Sequence, residues 1–317
     1  MDPSSGAPAF GSYRGPLPRV VVPGLGLRDR FARRKKWLYL AIAAEDVWIS
    51  LAIVRTGYAA TAFAFAYDLA KKSMLVDRTV LGPTPLSHVA DGPHDDGAIA
   101  RFTMGKTSFV IARGGSRLDV RAKIGELEIE AALDESAAPP SIAAIARLGD
   151  GLFDATEKRA LTRVTGTARI AGRNVDLSRA VGGWDYTHGL LPRHTKWNWA
   201  FGLGNAKDGR PIAFNVVQGF VGEAECAAFI DGEVHPIAEP KFGFDVDRPE
   251  LPWTLRGDGI DLTFGTGAVH AQYTKLVVIR SRFVQPVGTF SGHIRIDGKD
   301  VLVRNLPGVV EDQDVLW

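Results

Sequence analysis

The 317-residue chain is 45% hydrophobic and carries 38 lysines and arginines against 36 aspartates and glutamates, a formal net charge of +2. The near balance argues against a dedicated nucleic-acid surface, while the length and apolar share support a large core in about two domains. A single cysteine, Cys226, excludes an intrachain disulfide and fits a reducing compartment.

Residues 1–35 read as an extended arm, with Pro3, Pro8, Pro16, Pro18 and Pro23 among several glycines. The start lacks the charged segment and apolar run of a signal peptide. The apolar run Trp37 to Ala44 stops at Glu45-Asp46, far short of a membrane span. The expectation is a soluble, cytoplasmic protein. Arg28, Arg30, Arg33, Arg34, Lys35 and Lys36 are opposed only by Asp29. They read as a solvated basic cluster or, more sharply, as a peripheral contact for anionic lipid headgroups, each charge contributing about 1 kcal/mol.

From Lys36 onward the pattern is strand after strand. Trp37 to Ile42 and Val47 to Val54 flank Glu45-Asp46 as a hairpin. Between Tyr58 and Tyr67, Phe63, Phe65 and Tyr67 alternate with Ala62, Ala64 and Ala66. That is period two, and the alanine face predicts crowding or curvature on one side of the sheet. Arg101 to Ala112, Leu118 to Lys123 and Leu127 to Leu133 continue the series. The pattern breaks around Pro139 to Gly151, where Ser141 to Leu148 is predicted as a short helix, and resumes at Arg163 to Ile170. After residue 199, strands are predicted at Ile212 to Phe220, Ala227 to Ile230, Lys241 to Val246, Trp253 to Arg256, Ile260 to Phe264, Leu276 to Phe283, Gly288 to Ile296 and Val301 to Arg304. Asp231-Gly232 and Asp297-Gly298 are hairpin turns. The fold class is therefore all-β, two tandem barrels or sandwiches with few short helices. The predicted units are 36–179 and 180–317.

The chain is organised around residues 182–199. Three of the seven tryptophans and two of the seven histidines fall within sixteen of these residues. Gly182-Gly183 lets the backbone turn or approach something closely. Trp197 and Trp199 alternate with Asn198, so on a strand both indoles share a face. Asp185 among indoles is a carboxyl whose pKa burial would raise, the condition for a proton donor at neutral pH. Tyr186 or His188 would relay the proton, and the faces of Trp184, Trp197 and Trp199 would stabilise a developing cation. The competing reading makes Asp185 a hydrogen-bond acceptor that locks a corner of the fold. Asn215, Glu225, Gln285 and Glu311 are polar residues inside, directly before or directly after apolar runs. Each either lines the same cavity or is satisfied by neighbouring backbone, since an unpaired buried group costs about 1–3 kcal/mol.

No cofactor or metal is expected. Asp185, His188 and His194 match no structural zinc spacing. Gly105-Lys106-Thr107 ends like a phosphate loop, but Ala100 stands where the first glycine belongs. No Gly-x-Ser-x-Gly elbow occurs.

The chain resembles the bacterial family known as domain of unknown function 2804. The resemblance rests on Lys36-Trp37, Trp184-Asp185-Tyr186 with Gly189 and Pro192, Trp197-Asn198-Trp199, Glu225 with Asp231-Gly232, Pro252-Trp253, Gln285 with Gly288-Thr289-Phe290-Ser291-Gly292, and Gly308 with Glu311 and Trp317. Gln313 departs from the pattern, which has a histidine there. More distantly, Trp184-Asp185, Gly189 and Trp197-Asn198-Trp199 are similar to the lipocalin-like superfamily of carotenoid hydratases (hydroxyneurosporene synthases), tocopherol cyclases and Diels–Alderases. That resemblance implies two lipocalin-like β-domains with an apolar ligand between or within them. The expected function is binding of a hydrophobic small molecule: an isoprenoid, polyene or acyl chain. The alternatives are an acid-catalysed hydratase, cyclase or isomerase and, from a different class, a non-catalytic interaction scaffold.

Overall fold

The computed structural model describes residues 9–20, 22, 25–275 and 280–317. The rest of the expected arm, and the start of the strand expected at Leu276 to Phe283, lie outside the described residues. Two curled antiparallel sheets carry the chain. The first runs in the order Ser73–Pro83, Ala59–Asp68, Val47–Arg55, Arg34–Ala43, Val181–Leu190, Leu152–Ile170 and Leu127–Asp134, then hairpin by hairpin to Ser87–Val89. It curls back on itself: Lys36 Nζ donates to the Val89 carbonyl (2.8 Å) and Tyr186 OH to the Ala90 carbonyl (2.9 Å). The second sheet has Pro211–Gln218, His194–Asn205, Lys299–Leu316, Arg280–Ile296 and Ile260–Lys275 as its central run. At Asp231-Gly232 and Asp297-Gly298 both residues have positive φ (54° and 77°, 50° and 76°), the backbone that a two-residue type I′ hairpin requires.

The seam between the sheets explains the sequence of the early strands. Arg34–Ala43, Val47–Arg55, Ala59–Asp68 and Val181–Leu190 are buried on both faces for most of their length. One face, with Leu38, Leu40, Ile42, Ala62, Ala64 and Ala66, fills the first barrel. The other, with Tyr39, Phe63, Phe65 and Tyr67, packs on Trp199, Phe201 and Val217 of the second sheet. Two-faced burial makes such strands read as nearly continuous apolar runs. The alanine face is the concave, crowded one. Gly183 is needed for the same closeness: a Cβ there would lie 2.6 Å from the Phe201 ring and 2.7 Å from the Arg159 carbonyl.

Three expectations are corrected. Ile142–Gly149 is a strand, pairing with both Gly11–Arg14 and Leu152–Ile170. Its alanines favour a helix locally, but strands available on both edges override so short a propensity. Part of the arm is consequently tied down as a strand, and a six-residue helix, Leu27–Ala32, follows it. The passage between sheets falls after Leu190, not at 180, because Val181–Leu190 pairs with Arg34–Ala43 and Leu152–Ile170. Among the described residues no helix is long and apolar enough to cross a membrane.

The basic cluster is likewise not one face. Lys35 is fully buried, its Nζ donating to the Ala32 carbonyl (2.7 Å) and lying over the rings of Tyr58 and Trp317. Lys36 turns inward to Asp91, which also takes Arg34 at 2.7 Å. Arg28 and Arg30 stay exposed. A strand sends alternate side chains to opposite faces, so consecutive charges separate.

Candidate functional site

Between the sheets lies a cavity of about 370 Å³. Its walls are aromatic: Trp37 stacks on Trp197 (centroids 5.9 Å apart), Phe220 packs on Trp197 (5.2 Å), and Tyr39 meets Trp199 edge-on (5.2 Å). Its charged residues are buried, while Trp37, Trp197 and Phe220 remain partly exposed toward the opening.

The buried charges come from strands of both sheets. Leu152–Ile170 points Asp154, Thr156 and Lys158 at the seam until a bulge around Leu161 (φ 58°) swaps its faces, after which Val164, Ala168 and Ile170 point into the first barrel. Asp185 is the register partner of Lys158 on the neighbouring strand, and the two form an ion pair. Glu225 enters from the turn before Ala227–Ile230, with Oε2 3.0 Å from Lys158 Nζ. Burial opposes the Lys158 charge, but its two carboxylate partners outweigh burial and leave its pKa above the usual lysine value. Burial and the charge of Asp185 raise the Glu225 pKa against the pull of Lys158.

Two further carboxyls have no cation of their own. Asp154 is 1% exposed, and neither of its oxygens has a hydrogen-bond partner among the described residues. Burial, reinforced by the charge of Glu225, raises its pKa well above the ordinary 3.8, which favours the protonated form. Gly189 opposite gives it room, since a Cβ there would sit 3.0 Å from Asp154 Oδ1 and 2.7 Å from the Phe153 carbonyl. Glu311 accepts from Trp197 Nε1 (2.8 Å) through Oε1 and from Gln285 Nε2 (2.7 Å) through Oε2. Burial pushes its pKa up to about 7, against those hydrogen bonds. Gln285 Oε1 is buried and unpartnered, so the amide can turn to accept from Glu311 when that carboxyl is protonated.

The grouping expected around residue 185 divides in two. Asp185, Trp197, Trp199, Glu225, Gln285 and Glu311 all line the cavity. Asn215 stands behind it, accepting from Trp199 Nε1 (2.7 Å) and donating to the Glu225 carbonyl (2.8 Å), which fixes both neighbours. Trp184, Tyr186 and His188 point the other way, into the first barrel, because alternate residues of a strand oppose one another. Trp184 Nε1 donates to Glu135 (2.7 Å) and Tyr186 OH is taken by the Ala90 carbonyl. His188 accepts from Arg34 Nε (3.1 Å); burial and the adjacent Lys36 and Arg34 charges lower its pKa to about 3. A histidine kept neutral on the far face is no relay for Asp185. Asp154 and Lys158 escaped the sequence reading; their signal, the polar alternation Asp154-x-Thr156-x-Lys158, is masked by Glu157 and Arg159 beside it.

Asp185, His188 and His194 do not meet, and among the described residues no group of three or more histidine, cysteine, aspartate or glutamate side chains is placed to hold a metal ion. Gly105-Lys106 is a hairpin turn between Gly97–Met104 and Thr107–Gly114, with no helix to receive a phosphate.

In architecture the chain is similar to kievitone hydratase from Nectria haematococca (TM-score 0.54, 13% identity, covering 97% of this chain and 98% of that one). It is equally similar to CghA (TM-score 0.54, 11% identity, 96% and 98%). At these identities the likeness shows the fold, two lipocalin-like β-domains. No curated protein matches the chain. The family model described as domain of unknown function (DUF2804) matches residues 3–317, and the chain belongs to that family.

Proposed function

We propose that the protein is an acid-catalysed hydratase, cyclase or isomerase acting at a carbon–carbon double bond of a hydrophobic small molecule held in the seam cavity. The observation that carries this reading is Asp154, a buried carboxyl without a partner, facing an aromatic-walled hollow. An apolar pocket with a few convergent polar groups is the usual form of a small-molecule site. The fold of kievitone hydratase, a hydratase by name, adds support.

Asp154 donates its proton to one alkene carbon; the new C–H bond forms as the O–H bond breaks, leaving a carboxylate and a carbocation. Lys158 steadies that carboxylate, while the faces of Trp197 and Trp199 stabilise the cation. Glu311, poised near neutrality, takes the proton of an attacking water in hydration, or of a neighbouring carbon in isomerisation. In ring closure a second double bond of the substrate attacks the cation, and Glu311 then takes a proton from a carbon beside the new cationic centre, leaving a ring alkene. Proton return from Glu311 to Asp154 through solvent closes the cycle. Asp185 holds Lys158 in place and is a positioning residue.

The test is solvent labelling. The protein is incubated in D₂O with a panel of terpenoid and polyene alkenes, and products are read by mass spectrometry. Stable incorporation of carbon-bound deuterium that Asp154→Asn abolishes supports the reading. Tight binding of panel members without deuterium uptake makes the protein a carrier instead.

A further inference from the structure

We infer that the floor of the seam cavity is a receptor for the ammonium head of an apolar amine, held by the Asp154 carboxyl and by Glu311 beneath the aromatic walls. The buried polar atoms that line the cavity and lack any bonded or ion-paired partner are all oxygens, and all become acceptors once Asp154 gives up its proton: both oxygens of Asp154 and Oε1 of Gln285. Unpartnered donors such as Thr162 Oγ1 and His188 Nδ1 lie elsewhere. The ionisable groups are equally one-sided in number. Asp154, Asp185, Glu225 and Glu311 face a single ammonium, Lys158, and two of the four are already engaged with it.

A ligand that supplies N–H donors together with positive charge answers both surpluses. A neutral alcohol brings one donor and no charge, and a carboxylate adds to the repulsion. Indole faces at Trp197 and Trp199 also attract a cation. When the ammonium arrives, protonated Asp154 releases its proton to solvent and becomes the counter-ion, so the bound pair is neutral and about one proton leaves per ligand. Such an amine occupies the place of the cation that alkene protonation would create. With the proton gone, it blocks that chemistry without undergoing it.

Isothermal titration of the full chain with octylammonium chloride, 1-octanol and sodium octanoate, each at pH 7 in two buffers of different ionisation enthalpy, tests this. The amine should bind at least about tenfold tighter than the alcohol, the octanoate least, with a buffer-dependent heat equal to one released proton. Asp154→Asn should reduce the amine to the affinity of the alcohol and remove the buffer dependence. Equal affinities for amine and alcohol, absence of binding, absence of proton release, or an Asn variant that keeps the amine preference each overturns the inference. Deuterium uptake is read independently of these titrations, so either conclusion can fail alone.

Discussion

Lys158 of the first sheet and Glu225, in the turn that leads into Ala227–Ile230 of the second, meet at 3.0 Å beneath the cavity, where Lys158 also holds Asp185. One ammonium therefore ties the two domains together and neutralises two largely buried carboxylates. Removing one partner of a buried ion pair leaves the other charge uncompensated, at a cost of about 3–5 kcal/mol. Lys158→Met should show a loss of that size in urea denaturation at pH 8. The deficit should shrink toward pH 5 as the abandoned Glu225, whose pKa burial already raises, takes up a proton. An unchanged midpoint would mean that the triad carries no weight.

Asp154 has its folded pKa raised far above the ordinary value of 3.8. Its contribution to stability is complete below that value and is lost as pH rises toward the folded pKa, because only the unfolded chain then releases the proton. Asp154→Asn is free of this loss. The variant should match the wild type near pH 4 and exceed it increasingly toward pH 8, read as a widening gap in melting temperature. A variant less stable at every pH would place a hidden partner on the carboxyl.

Glu311 behaves in the same sense over a defined window, from 4.5 in the unfolded chain to about 7 in the fold. Between these values the wild type should lose about 3 kcal/mol on this account, and Glu311→Gln should flatten that part of the stability profile. On the proposed mechanism, the acidic limb of turnover near pH 7 should belong to Glu311 as the base. Glu311→Gln should lower the rate and remove that limb, measured as a profile of kcat/KM against pH.

Gly267 lets the second sheet approach Tyr67 of the first. A Cβ there would lie 1.7 Å from the Tyr67 hydroxyl and 2.3 Å from the ring carbon that bears it. Tyr67 is buried and its ring is rigid. Gly267→Ala should destabilise the protein by about 1–3 kcal/mol through overpacking, in thermal unfolding. Little or no change would show that the seam is loose at this point.

Much of this arrangement is legible in the sequence wherever burial alone decides it. Alternating Phe63, Phe65 and Tyr67 announce a strand packed on both faces, and Gly182-Gly183 announces a close approach. Gln285, Glu225 and Glu311 stand out as polar intrusions into apolar strands. What depends on strand register does not show. Asp154 and Lys158 become site residues only because Leu152–Ile170 lies beside Val181–Leu190 with Lys158 opposite Asp185. The same alternation that joins Trp197 to Trp199 parts Trp184 and Tyr186 from Asp185, so adjacency along the chain misleads within a strand. Lys35 and Lys36 illustrate the point again: two neighbouring lysines in a basic run are both drawn inside, toward different partners.

The protonation state of Asp154 at neutral pH is the most direct test of the chemistry proposed for the cavity. The infrared difference spectrum between the wild type and Asp154→Asn at pH 7 reads it. A lost carbonyl band of a protonated carboxylic acid, shifted by D₂O, is the predicted result. Loss of only the paired bands of an ionised carboxylate would contradict it, and would leave the cavity with no acid at Asp154.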